Sequence, residues 1–326
     1  MNVLIDSRWK GNTGIGRLYQ EVISRKPPHV TDLYIHSNLN LGSMYTPFML
    51  AREIRSSAAD IFYSPSFMPP LYTNKPFIIT IHDLMHLFYY SKMHRLYYKQ
   101  VIARLAKRAK SIITVSHFSK QQLTALLGID ERLITVIYNG VDERFSLNEK
   151  SYILDRPYLL YVGNRRKNKN IPAMLTAFAQ AKIAKDIMFA FTGYADSAIL
   201  QEAQRLKIDG RIKFLGFIPE SELPQLYKGA LATIYVSLME GFGLPILESM
   251  ASGTPVLTSN VSSLPEIAGT AASCVNPLDI AAIAQGIEQL INNTELRQHY
   301  IAAGIERVLN FQWEHTAIQT WKTILS

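Results

Sequence analysis

The chain contains a single cysteine, Cys274, so no internal disulfide can form, and its apolar sequence neighbourhood predicts a buried structural thiol. Nowhere do eighteen apolar residues run together, and the opening MNVLIDSRWK reads as a buried strand rather than an apolar leader. The expectation is a protein with neither secretion signal nor membrane span, at home in a reducing cytoplasm. Internal repeats and low-complexity tracts are missing, as are acidic clusters of the kind that hold a divalent ion. Acid is also missing from one long stretch. Between Asp83 and Asp130 there is no Asp or Glu, whereas Lys92, Arg95, Lys99, Arg104, Lys107, Arg108, Lys110 and Lys120 all fall there. Residues 1–150 hold 19 Lys and Arg against 11 Asp and Glu, and residues 151–326 hold 15 of each, so the entire formal charge of +8 belongs to the first half. Such a local excess suits an anionic surface, either phospholipid or nucleic acid. No nucleic-acid-binding motif accompanies it, which favours the membrane.

With 326 residues, 48% of them hydrophobic, the chain is long enough for two globular domains, each with its own core. Short apolar runs at 2–6, 33–36, 61–63, 77–81, 112–115 and 133–137 alternate with polar or helical stretches, as in a parallel sheet. The turn-forming Tyr138-Asn-Gly-Val-Asp142 and the polar residues to Pro157 place a domain boundary near 150. Strands resume at 158–162, 187–192 and 211–215. Residues 93–110 predict one amphipathic helix, with Tyr98, Val101, Ile102, Leu105 and Ala109 as the apolar stripe and basic residues on both sides. Near the amino terminus a strand runs into Gly11-Asn-Thr-Gly-Ile-Gly16 and a helix from Arg17. The glycine pattern is incomplete for a dinucleotide fingerprint, which disfavours a dehydrogenase, and a plain turn fits it equally well.

The most informative stretch is 234–269. An apolar run from Ile234 breaks into a loop with Glu240, Gly241, Phe242 and Gly243, and Pro245 suits the first turn of a helix, where its missing N–H is no loss. Strand, glycine loop and helix N-terminus together aim unpaired N–H groups and the positive end of a helix dipole at one place, an anion site. Two carboxylates frame it, Glu240 in the loop and Glu248 in the helix. Phosphate would repel them, so they suit hydroxyls, as on sugars; a solvated pair of helix-end acids has the same spacing. A second basic loop, Gly163-Asn-Arg-Arg-Lys-Asn-Lys-Asn170, follows the first strand of the second domain.

Glu240-Gly-Phe-Gly-Leu-Pro-Ile-Leu-Glu248, Ala251-Ser-Gly-Thr-Pro-Val256 and Leu264-Pro-Glu-Ile-Ala-Gly269 resemble the retaining glycosyltransferases of the GT-B fold, glycosyl transferases group 1, among them bacterial mannosyltransferases and glucosyltransferases of polysaccharide assembly. The resemblance is dense from 158 to 270 and sparser before. It implies an α/β architecture of two facing Rossmann-like, doubly wound domains with an inter-domain cleft. Residues 1–150 would be the acceptor-binding domain and 151–326 the nucleotide-sugar donor-binding domain, with the last helix crossing back to the first domain. By resemblance Arg165 and Lys169 grip the diphosphate; the pattern departs at Asn168, where many members carry arginine, and Arg166 and Lys167 can rearrange the contacts, so either Arg165 or Arg166 is the arginine that binds. The amides of Gly241, Phe242, Gly243 and Leu244 add to that grip. Glu240 orients donor-sugar hydroxyls and Glu248 the ribose. His82, in Thr80-Ile-His-Asp-Leu84, matches the family's donor-sugar histidine; Asp83 and Glu240 are the acids to suspect of nucleophilic work, but the preferred reading is a front-face route in which the departing phosphate accepts the acceptor proton. Gly14 and Gly16 face the donor phosphates, and the backbone near Phe217 and Ile218 reads the nucleobase edge. Val115-Ser-His-Phe-Ser-Lys120 matches a family signature without a chemical step for Ser116 or Ser119. No cofactor and no metal is implied beyond the nucleotide sugar. The resemblance leans to mannose from GDP-mannose, transferred to a saccharide or lipid-linked acceptor in polysaccharide (lipopolysaccharide) assembly, with peripheral membrane contact through residues 92–120. A nucleotide-sugar-binding partner subunit without turnover and a GT-B nucleotide-sugar epimerase are the competing expectations.

Overall fold

The structure, a computed structural model, describes residues 1–11, 13–35, 37, 39–41, 43–148 and 150–326. The chain divides into two compact units, Met1–Gly140 together with Gln312–Ser326, and Val141–Phe311. The division therefore falls between Gly140 and Val141 rather than near 150.

The first unit is built on strands β1 (Asn2–Ile5), β2 (Thr31–Tyr34), β3 (Ile61–Ser64), β4 (Phe77–Thr80), β5 (Ser111–Thr114) and β6 (Ile134–Val136). All pair in parallel, in the order β2-β1-β3-β4-β5-β6. The central strands β3 and β4 are buried at every position, hence the continuous apolar runs in the sequence in place of alternation. The order reverses at β1, with β2 on one side and β3 on the other. The terminal helix Trp313–Leu325 belongs to this unit, where Trp321 Nε1 donates to Val22 O at 2.8 Å and Thr316 Oγ1 to Tyr138 O at 2.7 Å. Gly140 permits that return, since a Cβ there would lie 2.1 Å from Trp313 N.

The second unit repeats the plan with β7 (Tyr158–Tyr161), β8 (Met188–Phe191), β9 (Ile212–Phe214), β10 (Ala232–Tyr235), β11 (Val256–Ser259) and β12 (Ser273–Val275). Again all are parallel, in the order β12-β11-β10-β7-β8-β9. Two six-stranded parallel sheets with helical crossovers make this an α/β protein of the Rossmann-like, doubly wound kind.

Four local expectations change. The helix expected over 93–110 is a broken run: α-helix Lys92–Tyr97, a π-helical turn Tyr98–Ile102 and α-helix Ala103–Ala106. The inserted π turn shifts the register while keeping Tyr98, Ile102, Leu105 and Ala109 buried. The helix expected from Arg17 begins at Gly14, capped by Thr13, whose Oγ1 accepts from Gly16 N at 3.1 Å. The second strand of the first unit is Thr31–Tyr34 rather than 33–36, and His36 lies outside the described residues. Cys274 is exposed, because it sits on edge strand β12, whose pairing to β11 leaves its other flank open.

Candidate functional site

The reversal of strand order in the second unit falls between β7 and β10, and ligands of open α/β sheets bind outside the carboxyl ends of the strands at such a point. Two loops leave those ends: 162–170 after β7 and 236–243 after β10. They are stapled together by backbone and amide hydrogen bonds. Leu238 N donates to Asn168 O at 2.8 Å, Asn168 Nδ2 to Met239 O at 3.0 Å, and Asn170 Nδ2 to Val236 O at 3.1 Å and Pro277 O at 2.8 Å. Asn170 takes φ +59° to close the turn Lys167–Lys169 against the helix Ile171–Gln180, a conformation that asparagine tolerates.

This stapling brings Lys169 and Glu240 into contact. Lys169 Nζ donates to Glu240 Oε1 at 2.7 Å and to Tyr235 Oη at 2.6 Å, and Tyr235 Oη donates to the same carboxylate oxygen at 3.0 Å. Lys169 is 7% exposed and Glu240 6%, so this is a buried ion pair with a phenol as third member. Burial first, and then the Glu240 charge, push the Tyr235 hydroxyl far above its ordinary value, so it remains a proton donor. Tyr161, with its ring stacked 6.2 Å from that of Tyr235, is likewise pushed up by burial and by Glu240, against an opposing pull from Arg165.

The loop beyond Glu240 is fixed from below. Ser263 Oγ donates to Glu240 O at 3.0 Å and Phe242 O at 2.9 Å, and Glu240 N donates to Ser262 Oγ at 3.2 Å. Gly241, Phe242 and Gly243 are buried, and Gly243 at φ +118° turns the chain into the helix Leu244–Ala251, with Pro245 in its first turn. Glu248 emerges from that helix half-buried and accepts from Tyr227 Oη at 2.8 Å. Glu240 is thus held by a cation and a phenol, and Glu248 also accepts from a phenol.

Arg165 makes its contacts elsewhere. Arg165 donates to Thr192 O at 3.0 Å and to Tyr194 O, lies 4.9 Å from the centroid of Phe214 and is 3.8 Å from Asp196. These partners belong to the loop after β8 and to β9. Arg166 is exposed, and buried Asn168 fills the space between the two loops. At the end of β9, Gly216 (φ +68°) bridges Gly193 through bonds of 2.8 and 3.1 Å, leaving Phe217 exposed and Ile218 half-buried.

In the first unit His82 follows β4. Its Nε2 lies 2.9 Å from Pro65 O; a carbonyl only accepts, so Nε2 carries the proton and the neutral ring keeps Nδ1 as acceptor. Burial lowers its pKa, outweighing the Pro65 bond and the Asp83 charge. Asp83 Oδ1 accepts from Met85 N at 2.8 Å, opening the turn Met85–Phe88. Ser116 caps the helix His117–Leu127, and Ser119 Oγ donates to His82 O at 3.1 Å, so this serine pair positions the histidine backbone. Gly16 is buried and a Cβ on it would meet Gly11 O at 2.0 Å, whereas Gly14 has nothing within 4 Å. Among the described residues no group of three or more His, Cys, Asp or Glu side chains converges as a metal site.

Sequence reasoning misses Tyr161, Tyr227 and Tyr235. They lie in largely apolar strands and in a short helix, where a tyrosine counts as core and its hydroxyl gives no signal of a distant partner.

Comparison with known proteins gives the class and then the family. Solved structures of the same fold include HepE of Anabaena in complex with UDP and glucose, 18% identical, TM-score 0.80, covering 100% of this chain and 99% of that one. Another is WaaG, a glycosyltransferase involved in lipopolysaccharide biosynthesis, 12% identical, TM-score 0.79, covering 99% of each. The fold class is GT-B. Residues 143–307 match the family described as Glycosyl transferases group 1, and residues 13–145 match Glycosyltransferase Family 4. O-antigen chain mannosyltransferase B of Escherichia coli is 31% identical over 291 residues, 84% of this chain and 76% of that protein. O-antigen chain mannosyltransferase RfbU of Salmonella typhimurium is 31% identical over 242 residues, 72% of this chain and 66% of that protein. The chain belongs to the glycosyl transferases group 1 and is a glycosyltransferase.

Proposed function

We propose that the protein transfers mannose from GDP-mannose, with retention of anomeric configuration and without a metal, to a saccharide or lipid-linked acceptor in surface-polysaccharide assembly. The observation that carries the reading is the buried Lys169–Tyr235–Glu240 cluster at the strand-order reversal, beside a glycine loop and a helix N-terminus. The two relatives named as O-antigen mannosyltransferases support mannose and the pathway.

In this reading Lys169 turns from Glu240 to the diphosphate, joined by the amides of Gly241 to Leu244 and by Arg165 or Arg166. Positive charge then meets the charge that develops as the sugar–phosphate bond breaks. Glu240, released from Lys169 but held by Tyr235, accepts from donor-sugar hydroxyls, and Glu248 accepts from the ribose. His82 contacts the sugar, Gly14 and Gly16 shape the loop toward the donor phosphates, and backbone near Phe217 and Ile218 meets the base. The anomeric carbon exchanges its bond to the leaving oxygen for one to the acceptor oxygen on the same face. The acceptor proton passes to the departing phosphate, with Asp83 and Glu240 as bystander acids rather than nucleophiles. Peripheral contact with a membrane runs through residues 92–120.

Incubation with a panel of nucleotide sugars and a mannosylated acceptor, in chelator, with the product anomer read by NMR, tests this. Transfer from GDP-mannose with an α-linked product supports it. A new sugar nucleotide formed from donor alone indicates an epimerase, and donor binding without turnover indicates a partner subunit.

A further inference from the structure

The first unit has a strand-order reversal of its own, and the mechanism above makes no use of the buried charges there. β1 and β3 are neighbours at that reversal, and Asp6 and Ser64 stand at their carboxyl ends. Asp6 is fully buried, its N–H donating to Tyr63 O at 3.0 Å. Its carboxylate accepts twice from Arg8, from Nε at 2.7 Å and from Nη2 at 2.8 Å, and once from Ser64 Oγ at 3.3 Å. Ser66 N donates to Ser64 Oγ at 3.3 Å, and the Pro65 carbonyl between the two serines is the partner of His82 Nε2. One loop therefore ties the Asp6–Arg8 pair to the histidine that follows β4. Three donors here are left over. Among the described residues Arg8 Nη1, Trp9 Nε1 and Ser66 Oγ are buried without a hydrogen-bond partner. The Arg8 side chain is 6% exposed, Ser66 is fully buried, and Trp9 follows Arg8 in the turn Ser7–Trp9. A buried donor without an acceptor costs stability, so three of them in one short stretch of the fold call for a ligand that satisfies them.

We propose that Arg8, Trp9 and Ser66 form an oxyanion site, which takes a phosphate or carboxylate group carried by a substrate. The donor set selects that chemistry. Guanidinium and indole N–H groups only donate, and a group that accepts several hydrogen bonds and returns none is an oxyanion, whereas a sugar hydroxyl also needs an acceptor for its own proton. Asp6 does not oppose an anion, because Arg8 neutralises it through both oxygens. That clamp uses one edge of the guanidinium and fixes the other, Nη1, for the ligand, in the planar fork by which arginine binds phosphate and carboxylate. The place agrees with the chemistry, since open α/β sheets bind ligands outside the carboxyl ends of the strands where their order reverses. The inference deepens the proposed transfer reaction by adding a second charged subsite, and it rests on that reading only for which substrate carries the oxyanion.

Arg8→Gln would strand the buried Asp6 and confound folding with binding, whereas Trp9→Phe and Ser66→Ala each remove an unpartnered donor. Inorganic phosphate is titrated calorimetrically into the full chain saturated with GDP, and GDP into the full chain alone, for the parent and both variants. The expected result is at least about tenfold weaker phosphate binding in each variant with GDP affinity at the parental level, which places the oxyanion on a substrate other than the nucleotide. A loss of GDP affinity of that size in both variants keeps the site and assigns the oxyanion to the nucleotide. Ser66→Ala should also melt at or above the parental temperature, because it deletes a hydroxyl that has no partner in the fold. The proposal is overturned when neither titration separates the variants from the parent. It is equally overturned by a clear fall in the melting temperature of Ser66→Ala, which would show that the hydroxyl is satisfied within the protein. A parent that binds no GDP contradicts the proposed function, while its phosphate titration still reads this site.

Discussion

Lys169 and Glu240, separated by 71 positions in sequence, meet at 2.7 Å with little access to solvent. The contact follows from topology: β10 returns to pair with β7, so the loops that carry the two residues leave neighbouring strand ends. A buried pair of this kind is self-neutralising without ligand, and a diphosphate is the chemistry that can take over the lysine.

Breaking the pair on one side should be costlier than replacing both partners. Lys169→Ala strands a buried carboxylate and is expected to destabilise the protein by about 3 kcal/mol, while K169M/E240Q should lose distinctly less. Urea unfolding of the two variants measures this, and a double variant less stable than K169A would contradict it.

Tyr235→Phe removes the phenol that, in the proposed mechanism, stays on Glu240 when Lys169 turns to ligand. The lysine–glutamate pair of the unliganded protein survives, so melting temperature should change little, but GDP-mannose affinity should weaken about tenfold. In an E240Q background the same change should cost nothing further. Additive losses would show that Tyr235 acts independently of Glu240.

His82 carries a pH signature. Its folded pKa lies below the ordinary 6.5 because of burial, so the unfolded chain takes up the proton first. The stability it contributes is therefore complete above about pH 6.5 and is lost as pH falls toward the lowered value, with a limiting slope of about 1.4 kcal/mol per pH unit for one proton. Unfolding free energies measured from neutral to mildly acid pH should decline in the parent and decline less in His82→Gln. Equal slopes would contradict the assignment.

The two amino-terminal glycines should separate. Gly16→Ala drives a Cβ into the Gly11 carbonyl and must displace backbone, whereas Gly14→Ala enters open space at a helical position. Thermal melts should show several degrees of loss for Gly16→Ala and little change for Gly14→Ala; the reverse order would refute the local geometry.

Much of this architecture could be read from residues alone, for stated reasons. Parallel strands buried on both faces leave continuous apolar runs, and Gly243, Pro245 and Asn170 mark turns and helix starts by their backbone chemistry. What depends on distant partners could not be read. The Lys169–Glu240 contact needs the β10–β7 pairing, and the Tyr235 hydroxyl sits at the end of a buried strand where a tyrosine reads as core. Arg165 shares a loop with Lys169, yet its guanidinium leans on Phe214 and the Thr192 carbonyl. Met44, Tyr45 and Phe48 count as core by composition and are on the surface.

Calorimetric titration of GDP into the parent and Lys169→Ala, with folding of both verified, tests the central claim most directly. The account predicts that the variant binds at least about tenfold more weakly, since the lysine leaves Glu240 to hold the diphosphate. Parental affinity in Lys169→Ala would contradict it.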